Sequence, residues 1–283
     1  MQTTGFREQM LANVVVTRRT IDVDGIATAV LEAGSGSPLL LLHGAIECGG
    51  AMWAPVITPL AARHRLVIPD APGLGESAPV DRLDVTTFTR WFEALLRVTD
   101  LERPALVAHS LFGSMAVHLA ARRSELVSQV VAYGAPGVGP YRMPMALRYA
   151  AIRFAIRPTA ANAERFDRFA LLDVDATRGL DPDWYEAFSL YTRERAGRRA
   201  VKRTMNSLIS PMTKQIPEAD LDRIECPVSL LWGRHDRMVP LSIAEHASSR
   251  RGWPLHVVEA AAHAPHIEAP RSFPDVLESA LAT

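Results

Sequence analysis

The chain has 283 residues, of which 48% are hydrophobic and 22% charged, and its 31 basic side chains balance 31 acidic ones. This composition excludes an intrinsically disordered chain and offers no net positive field for a polyanion, so neither nucleic acid nor any other polyanion is expected as a partner. The length suits one large α/β domain, alone or with an insertion, that buries most of its apolar surface.

Taken in chain order, the first ten residues lack the apolar run of a signal peptide, and no later run approaches the roughly 18 apolar residues of a membrane helix. A cytoplasmic protein without a membrane partner is expected. Cys48 and Cys226, the two cysteines, are too few for a disulfide framework and lack zinc-site spacing, so reduced thiols are expected. Val14 to Asp24 and Ile26 to Glu32 read as two strands of a hairpin, joined at Asp24-Gly25, a pair that tolerates positive φ. Leu39 to Leu42, Leu66 to Pro69, Ala105 to Ala108 and Val127 to Tyr133 are short apolar runs without alternation, as expected of parallel strands covered on both faces. Helical patterns lie between them at Ala51 to Arg63, Val85 to Val98 and Gly113 to Arg123. Strand alternating with helix predicts a mostly parallel, doubly wound sheet.

The alternation stops near Gly137. Residues 137–217 read as a helical insertion after the sixth strand, rich in aromatic and arginine side chains, which divides the core into residues 1–136 and 218–283. Strands resume at Val228 to Trp232 and Leu255 to Glu259, and Phe273 to Leu281 closes the chain as a helix. An insertion at that point overhangs the carboxyl ends of the strands, where open α/β sheets bind ligands, so it is expected to act as a lid.

Three residues carry the candidate chemistry. Ser110 follows Ala105-Leu-Val-Ala-His and opens a helix, Asp236 ends Val228-Ser-Leu-Leu-Trp-Gly-Arg-His-Asp, and His263 follows the last strand. A serine hydroxyl needs a base, an acid to orient that base, and donors for the oxyanion that forms. The order Ser, Asp, His distinguishes one of the three well-known triad arrangements. Ser110 could also be a simple helix N-cap, Asp236 a turn residue, and His263 a buried imidazole. His266 and His235 compete for the part of base, and zinc held by His263 and His266 lacks a third ligand. Ala108 supplies the small residue expected two places before the nucleophile. Phe112 stands where a small residue is expected two places after it, with a glycine only at Gly113. Either the turn is widened, or the phenyl ring points into the pocket.

His43-Gly44 after the third strand would turn backbone N–H groups towards the serine, so Ala45 and Leu111 are the candidate oxyanion donors. Ile46, Phe112, Met143 and Met145 are expected to touch substrate. His43 reads as a structural imidazole, and Glu47 and Cys48 lie close enough to line the site without an assigned part. Asp70-Ala-Pro-Gly-Leu-Gly-Glu-Ser77 has the wrong spacing for a phosphate-binding loop and reads as a tight turn.

These pieces together resemble the α/β-hydrolase superfamily, in particular its lid-bearing esterase and carbon–carbon bond hydrolase branch, over about Val14 to Leu281. The resemblance implies an eight-stranded, mostly parallel sheet flanked by helices. It also implies Ser110 as nucleophile, Asp236 as orienting acid, His263 as base, and the N–H groups of Ala45 and Leu111 as oxyanion hole. A serine rather than an aspartate at position 110 separates the chain from dehalogenase-like and epoxide-hydrolase-like branches. Ester hydrolysis through an acyl-enzyme is the leading expectation, with no metal or organic cofactor. Cleavage of a dienoate ring-cleavage product is the alternative. Residues 141–220 carry 14 basic and 10 acidic side chains, a surplus of four positive charges, which suits an anionic substrate or else decorates outer helix faces. A non-catalytic ligand receptor on the same scaffold is the alternative from another class.

Overall fold

In a computed structural model the described residues are 5–44 and 47–283. Eight strands form one sheet: β1 (Thr17–Val23), β2 (Ile26–Ala33), β3 (Ser37–Leu42), β4 (His64–Pro69), β5 (Ala105–His109), β6 (Gln129–Tyr133), β7 (Val228–Gly233) and β8 (Leu255–Val258). Their spatial order is β1-β2-β4-β3-β5-β6-β7-β8. β1 pairs antiparallel with β2 and β2 antiparallel with β4, while every other neighbouring pair is parallel. The β1–β2 turn is made by Asp24 at φ 55° and Gly25 at φ 79°, the double positive φ that the Asp-Gly pair allows.

The unbroken Leu39 to Leu42 run shows why alternation is missing from the parallel strands. Leu40 and Leu42 pack with Phe88, Trp91 and Met115 on one face of the sheet, while Leu39 and Leu41 pack with Ile57, Leu60 and Phe273 on the other. Both faces are covered by helices, so apolar side chains are required in both directions. Helices Val85–Val98, Ser110–Arg123 and Leu241–Arg251 cover the first face, and Ala54–Ala61 and Phe273–Leu281 the second.

Three element boundaries that depart from the sequence expectation have a local cause. β1 starts at Thr17, because Val15 is exposed to solvent and has no partner strand to pair with. The helix expected from Ala51 is a 3₁₀ turn, Gly49–Trp53, followed by Ala54–Ala61 with Pro55 in its first turn. The helix expected from Gly113 begins at Ser110, with no intervening loop after β5.

Between β6 and β7 the chain forms six α-helices, Met145–Ile156, Ala160–Ala170, Val174–Leu180, Pro182–Ala196, Arg199–Met212 and the single turn Glu218–Leu221. Local signals start three of them: the side chains of Thr159, Asp173 and Asp181 each accept a backbone N–H of the first turn. Near the amino end, the short helix Phe6–Met10 packs on Pro182–Ala196, and Arg7 reaches 2.9 Å from buried Asp70. The same Asp70 carboxylate accepts the N–H groups of Gly50 and Glu76, at 2.6 and 2.8 Å. The glycine-rich stretch after β4 is thus a turn tied down by a carboxylate.

Candidate active site

β5 delivers Ser110 directly into the first residue of a helix, at φ 57°. That left-handed conformation costs a non-glycine residue about 1–3 kcal/mol and survives only where the surroundings enforce it. The N-cap position belongs to His109, whose side chain makes no cap bond, so the capping alternative for Ser110 is not realised. Instead the Ser110 hydroxyl stands 3.0 Å from Nε2 of His263.

The irregular spacing after the serine has a packing explanation. The Phe112 ring is fully buried, 5.3 Å from the His43 ring and 5.9 Å from Phe88. It points into the core rather than into the pocket, which corrects the expectation that Phe112 touches substrate. The close backbone approach falls one residue later: a β-carbon on Gly113 would meet the Ala108 carbonyl and the Ala135 side chain, each at 2.9 Å.

Asp236 follows β7 and His263 follows β8, so the three side chains come from strands at one end of the sheet. Oδ1 of Asp236 accepts the N–H groups of Met238 and Val239, both at 2.8 Å, which fixes the carboxylate. Its Oδ2 lies 2.7 Å from Nδ1 of His263. A carboxylate only accepts, so this contact places the imidazole proton on Nδ1 and leaves Nε2 bare towards Ser110. The loop that carries His263 is clamped on two sides. Its N–H donates to the Ala170 carbonyl at 2.9 Å. Glu268 accepts from the N–H groups of Ala262 and Ala264 on one oxygen and from Leu172 on the other, at 2.9, 3.1 and 2.6 Å.

The rival histidines are placed elsewhere. His266 is fully buried, with Nδ1 accepting the Tyr133 hydroxyl at 2.5 Å, and burial, followed by the nearby His263, lowers it to about 3. Its Nδ1 is thus engaged by Tyr133, while the Ser110 contact is made by His263. His235 is exposed. His43 accepts the Ala71 N–H on Nε2 and contacts the Gly44 carbonyl through Nδ1, at 2.9 and 2.5 Å, and so joins two loops as expected. His109 donates from Nε2 to the His263 carbonyl at 2.8 Å, and its buried Nδ1 has no hydrogen-bond partner among the described residues. Burial first, and then His263 and His266, hold His109 well below the ordinary imidazole range.

A cavity of about 630 Å³ opens beside Ser110 and runs under the helices between β6 and β7. Leu111, Tyr141, Met143, Leu147 and Phe166 give it a largely apolar wall. Met145, expected in that wall, is 74% exposed and lies outside it, because helical spacing turns it away from Leu147. Ala45 and Ile46 lie outside the described residues. The wall also holds groups to which the sequence assigned no part: Glu47, Asp167, Lys202 and Asn206. Burial pushes the Glu47 carboxyl up to about 7, with neighbouring Asp167 adding to the rise. Burial likewise pushes Asp167 up to about 6, although the Tyr185 hydroxyl donates to it at 3.0 Å. Asp167 and Glu268 carry no sequence signal, since an acid on an amphipathic helix reads as a solvent-facing residue.

Chemically, the arrangement can move a hydroxyl proton onto an imidazole steadied by a carboxylate, next to a cavity that shelters an apolar compound. A model of the alpha/beta hydrolase family matches residues 39–276. The chain is 28% identical over 242 residues to the 2-hydroxymuconate semialdehyde hydrolase of a Pseudomonas species, a match covering 79% of this chain and 78% of that one. Among solved structures, it resembles the 2-hydroxy-6-oxo-6-phenylhexa-2,4-dienoate hydrolase of a Rhodococcus species, with TM-score 0.82 and 22% identity, over 95% of this chain and 99% of the other. It resembles the naproxen esterase of Bacillus subtilis equally, with TM-score 0.82 and 19% identity, over 97% and 95% of the two chains.

Proposed function

The chain belongs to the alpha/beta hydrolase family, and from that premise we propose that it hydrolyses a carboxylic ester through an acyl-enzyme on Ser110. The observation that carries this reading is the unbroken relay from the strained Ser110 hydroxyl to His263 Nε2 at 3.0 Å and from His263 Nδ1 to Asp236 at 2.7 Å.

In the proposed cycle, His263 takes the Ser110 proton as Oγ attacks the ester carbonyl, and Asp236 stabilises the imidazolium. The oxyanion forms against the N–H groups of Ala45 and Leu111. Leu111 is the second residue of its helix, where the N–H has no partner within the helix. His263 then returns its proton to the leaving alkoxide. In the second half it draws a proton from water, whose oxygen attacks the acyl carbonyl, and passes that proton to Ser110 Oγ as the acyl–Oγ bond breaks and the acid is released. Residues 137–217 serve as the lid over this site, on a core formed by residues 1–136 and 218–283. A cytoplasmic setting belongs to the same proposal, and there Cys48, its thiol pushed up to about 12 chiefly by burial, is inert.

Carbon–carbon cleavage of a dienoate is the second reading. It is favoured by the similarity to the semialdehyde hydrolase and by Lys202, a cation in the cavity wall that could hold a carboxylate. Against it stand Glu47 and Asp167 in the same wall, which repel an anion when ionised. Burst kinetics on p-nitrophenyl esters, set beside turnover of a dienoate diketone, separate the readings. A burst and a higher kcat/KM on esters are expected. A large preference for the diketone would overturn the first reading, and inertness to both in a folded protein would favour a receptor.

A further inference from the structure

The helix Met145–Ile156 has two apolar faces, and only one of them is used by the fold. Leu147, Ala150 and Phe154 are buried. Met145, Tyr149, Ile152 and Ile156 recur at i, i+4, i+7 and i+11, so they form a single stripe on the opposite side, and they are 74%, 56%, 49% and 68% exposed. Elsewhere among the described residues, large exposed apolar side chains are scattered singly, as on any soluble surface. Here four share one helix face.

The segment that carries the stripe bears charge of one sign only. Residues 141–157 contain four arginines, Arg142, Arg148, Arg153 and Arg157, and no acidic residue. All four are exposed. Further along the same segment Arg168, Arg178 and Arg198 pair with Glu164, Asp175 and Glu194. The stripe has no such acids of its own.

We propose that this face of Met145–Ile156 rests on an anionic lipid surface, with the four apolar side chains in the acyl boundary and the flanking arginines among the headgroups. A second copy of the chain fits poorly, because an isologous contact would set these arginines against each other. Lipid fits the geometry in another way as well. Ile152 and Ile156 belong both to the exposed stripe and to the wall of the cavity beside Ser110, so the apolar surface continues from the outer face to the cavity. Among the described residues no helix is long and apolar enough to cross a membrane. A surface contact needs only one amphipathic face, and this proposal therefore revises the expectation of no membrane partner.

The test is co-sedimentation of the full chain with vesicles of phosphatidylglycerol and phosphatidylcholine in equal parts, and with vesicles of phosphatidylcholine alone. The protein is expected to pellet with the mixed vesicles, less with the neutral ones, and less again as salt is raised. Each arginine close to an anionic surface strengthens binding by about fivefold, so the Arg148→Glu and Arg153→Glu double variant is expected to stay in the supernatant. The Met145→Ser and Tyr149→Ser pair, outside the cavity, should also lose binding while keeping its circular dichroism and its turnover of a soluble ester. A folded wild type that ignores the mixed vesicles would overturn the proposal. So would a wild-type dimer that Met145→Asp converts to monomer. Vesicle binding does not depend on ester hydrolysis, so its failure and the failure of that reading are told apart.

Discussion

The His263 imidazole rests edge-on against the bare backbone of Gly134, where a β-carbon would stand 2.9 Å from its Cε1 and 3.1 Å from its Nδ1. Gly134 follows β6 at φ 58°, so the position needs glycine for its conformation as well as for the approach. Replacing it with alanine should push the ring away from Ser110 without touching substrate. A displacement of about 1 Å can cost on the order of a hundredfold in rate. Gly134→Ala is therefore expected to lower kcat by about that factor, with KM little changed, in steady-state assays on a soluble ester. An unchanged kcat in a folded variant would mean the ring is positioned by something else.

Asp236 divides its two oxygens between backbone and imidazole. In Asp236→Asn the amide can keep the loop bonds to Met238 and Val239 while turning its NH₂ group towards Nδ1. That geometry favours the imidazole tautomer with its proton on Nε2, where it cannot accept from Ser110. A fall in kcat on the order of ten-thousandfold is expected, with the thermal midpoint nearly unchanged. A loss that is mainly of stability would assign Asp236 a turn-holding role.

Phe112 and Gly113 are expected to fail in different ways when altered. Phe112→Ala empties a site lined by His43 and Phe88 and should cost about 3–5 kcal/mol of stability. Gly113→Ala forces a methyl group against Ala108 and Ala135, which shifts the turn that presents Ser110. Its expected signature is lost kcat beyond its loss of stability, measured by kinetics alongside denaturant unfolding.

Two buried groups should make stability depend on pH in opposite directions. His266 is lowered from 6.5 to about 3, by burial first and His263 second. The unfolded chain binds more protons across that window, so the stabilisation is complete above about 6.5 and drains away as pH falls towards 3. Glu47 is raised from 4.5 to about 7, chiefly by burial. Here the folded chain binds more protons, so its contribution is complete below about 4.5 and is lost as pH rises through 7. Glu47→Gln is expected to raise the thermal midpoint relative to wild type near about pH 8 and to lose that advantage near about pH 4. An equal shift at both pH values would mean that the Glu47 carboxyl is not perturbed by folding.

The sheet was legible where one force dominated the local sequence. Leu39 to Leu42 read as a strand covered on both faces, and Asp24-Gly25 as a tight turn, and both readings match the packing and the positive φ observed. That the Ser110, Asp236 and His263 side chains meet was readable because each sits at a strand end, and strand ends on one edge of a parallel sheet converge. Side-chain direction was not readable. Phe112 turns into the core and Met145 out to solvent, choices set by distant packing partners rather than by neighbours in sequence. Asp167 and Glu268 were passed over for the same reason, whereas Glu47 was placed at the site without a part. Acids usually face water, but Glu47 and Asp167 line the cavity, and Glu268 is held by the N–H groups of Ala262, Ala264 and Leu172.

The most direct measurement is mass-spectrometric mapping of the adduct formed by a fluorophosphonate on the folded protein, together with the His263→Ala variant. The expected result is one modified residue, Ser110, with labelling slowed severely when His263 is removed. A folded wild type that remains unlabelled, or that carries the adduct on another residue, would contradict a Ser110 nucleophile activated by His263.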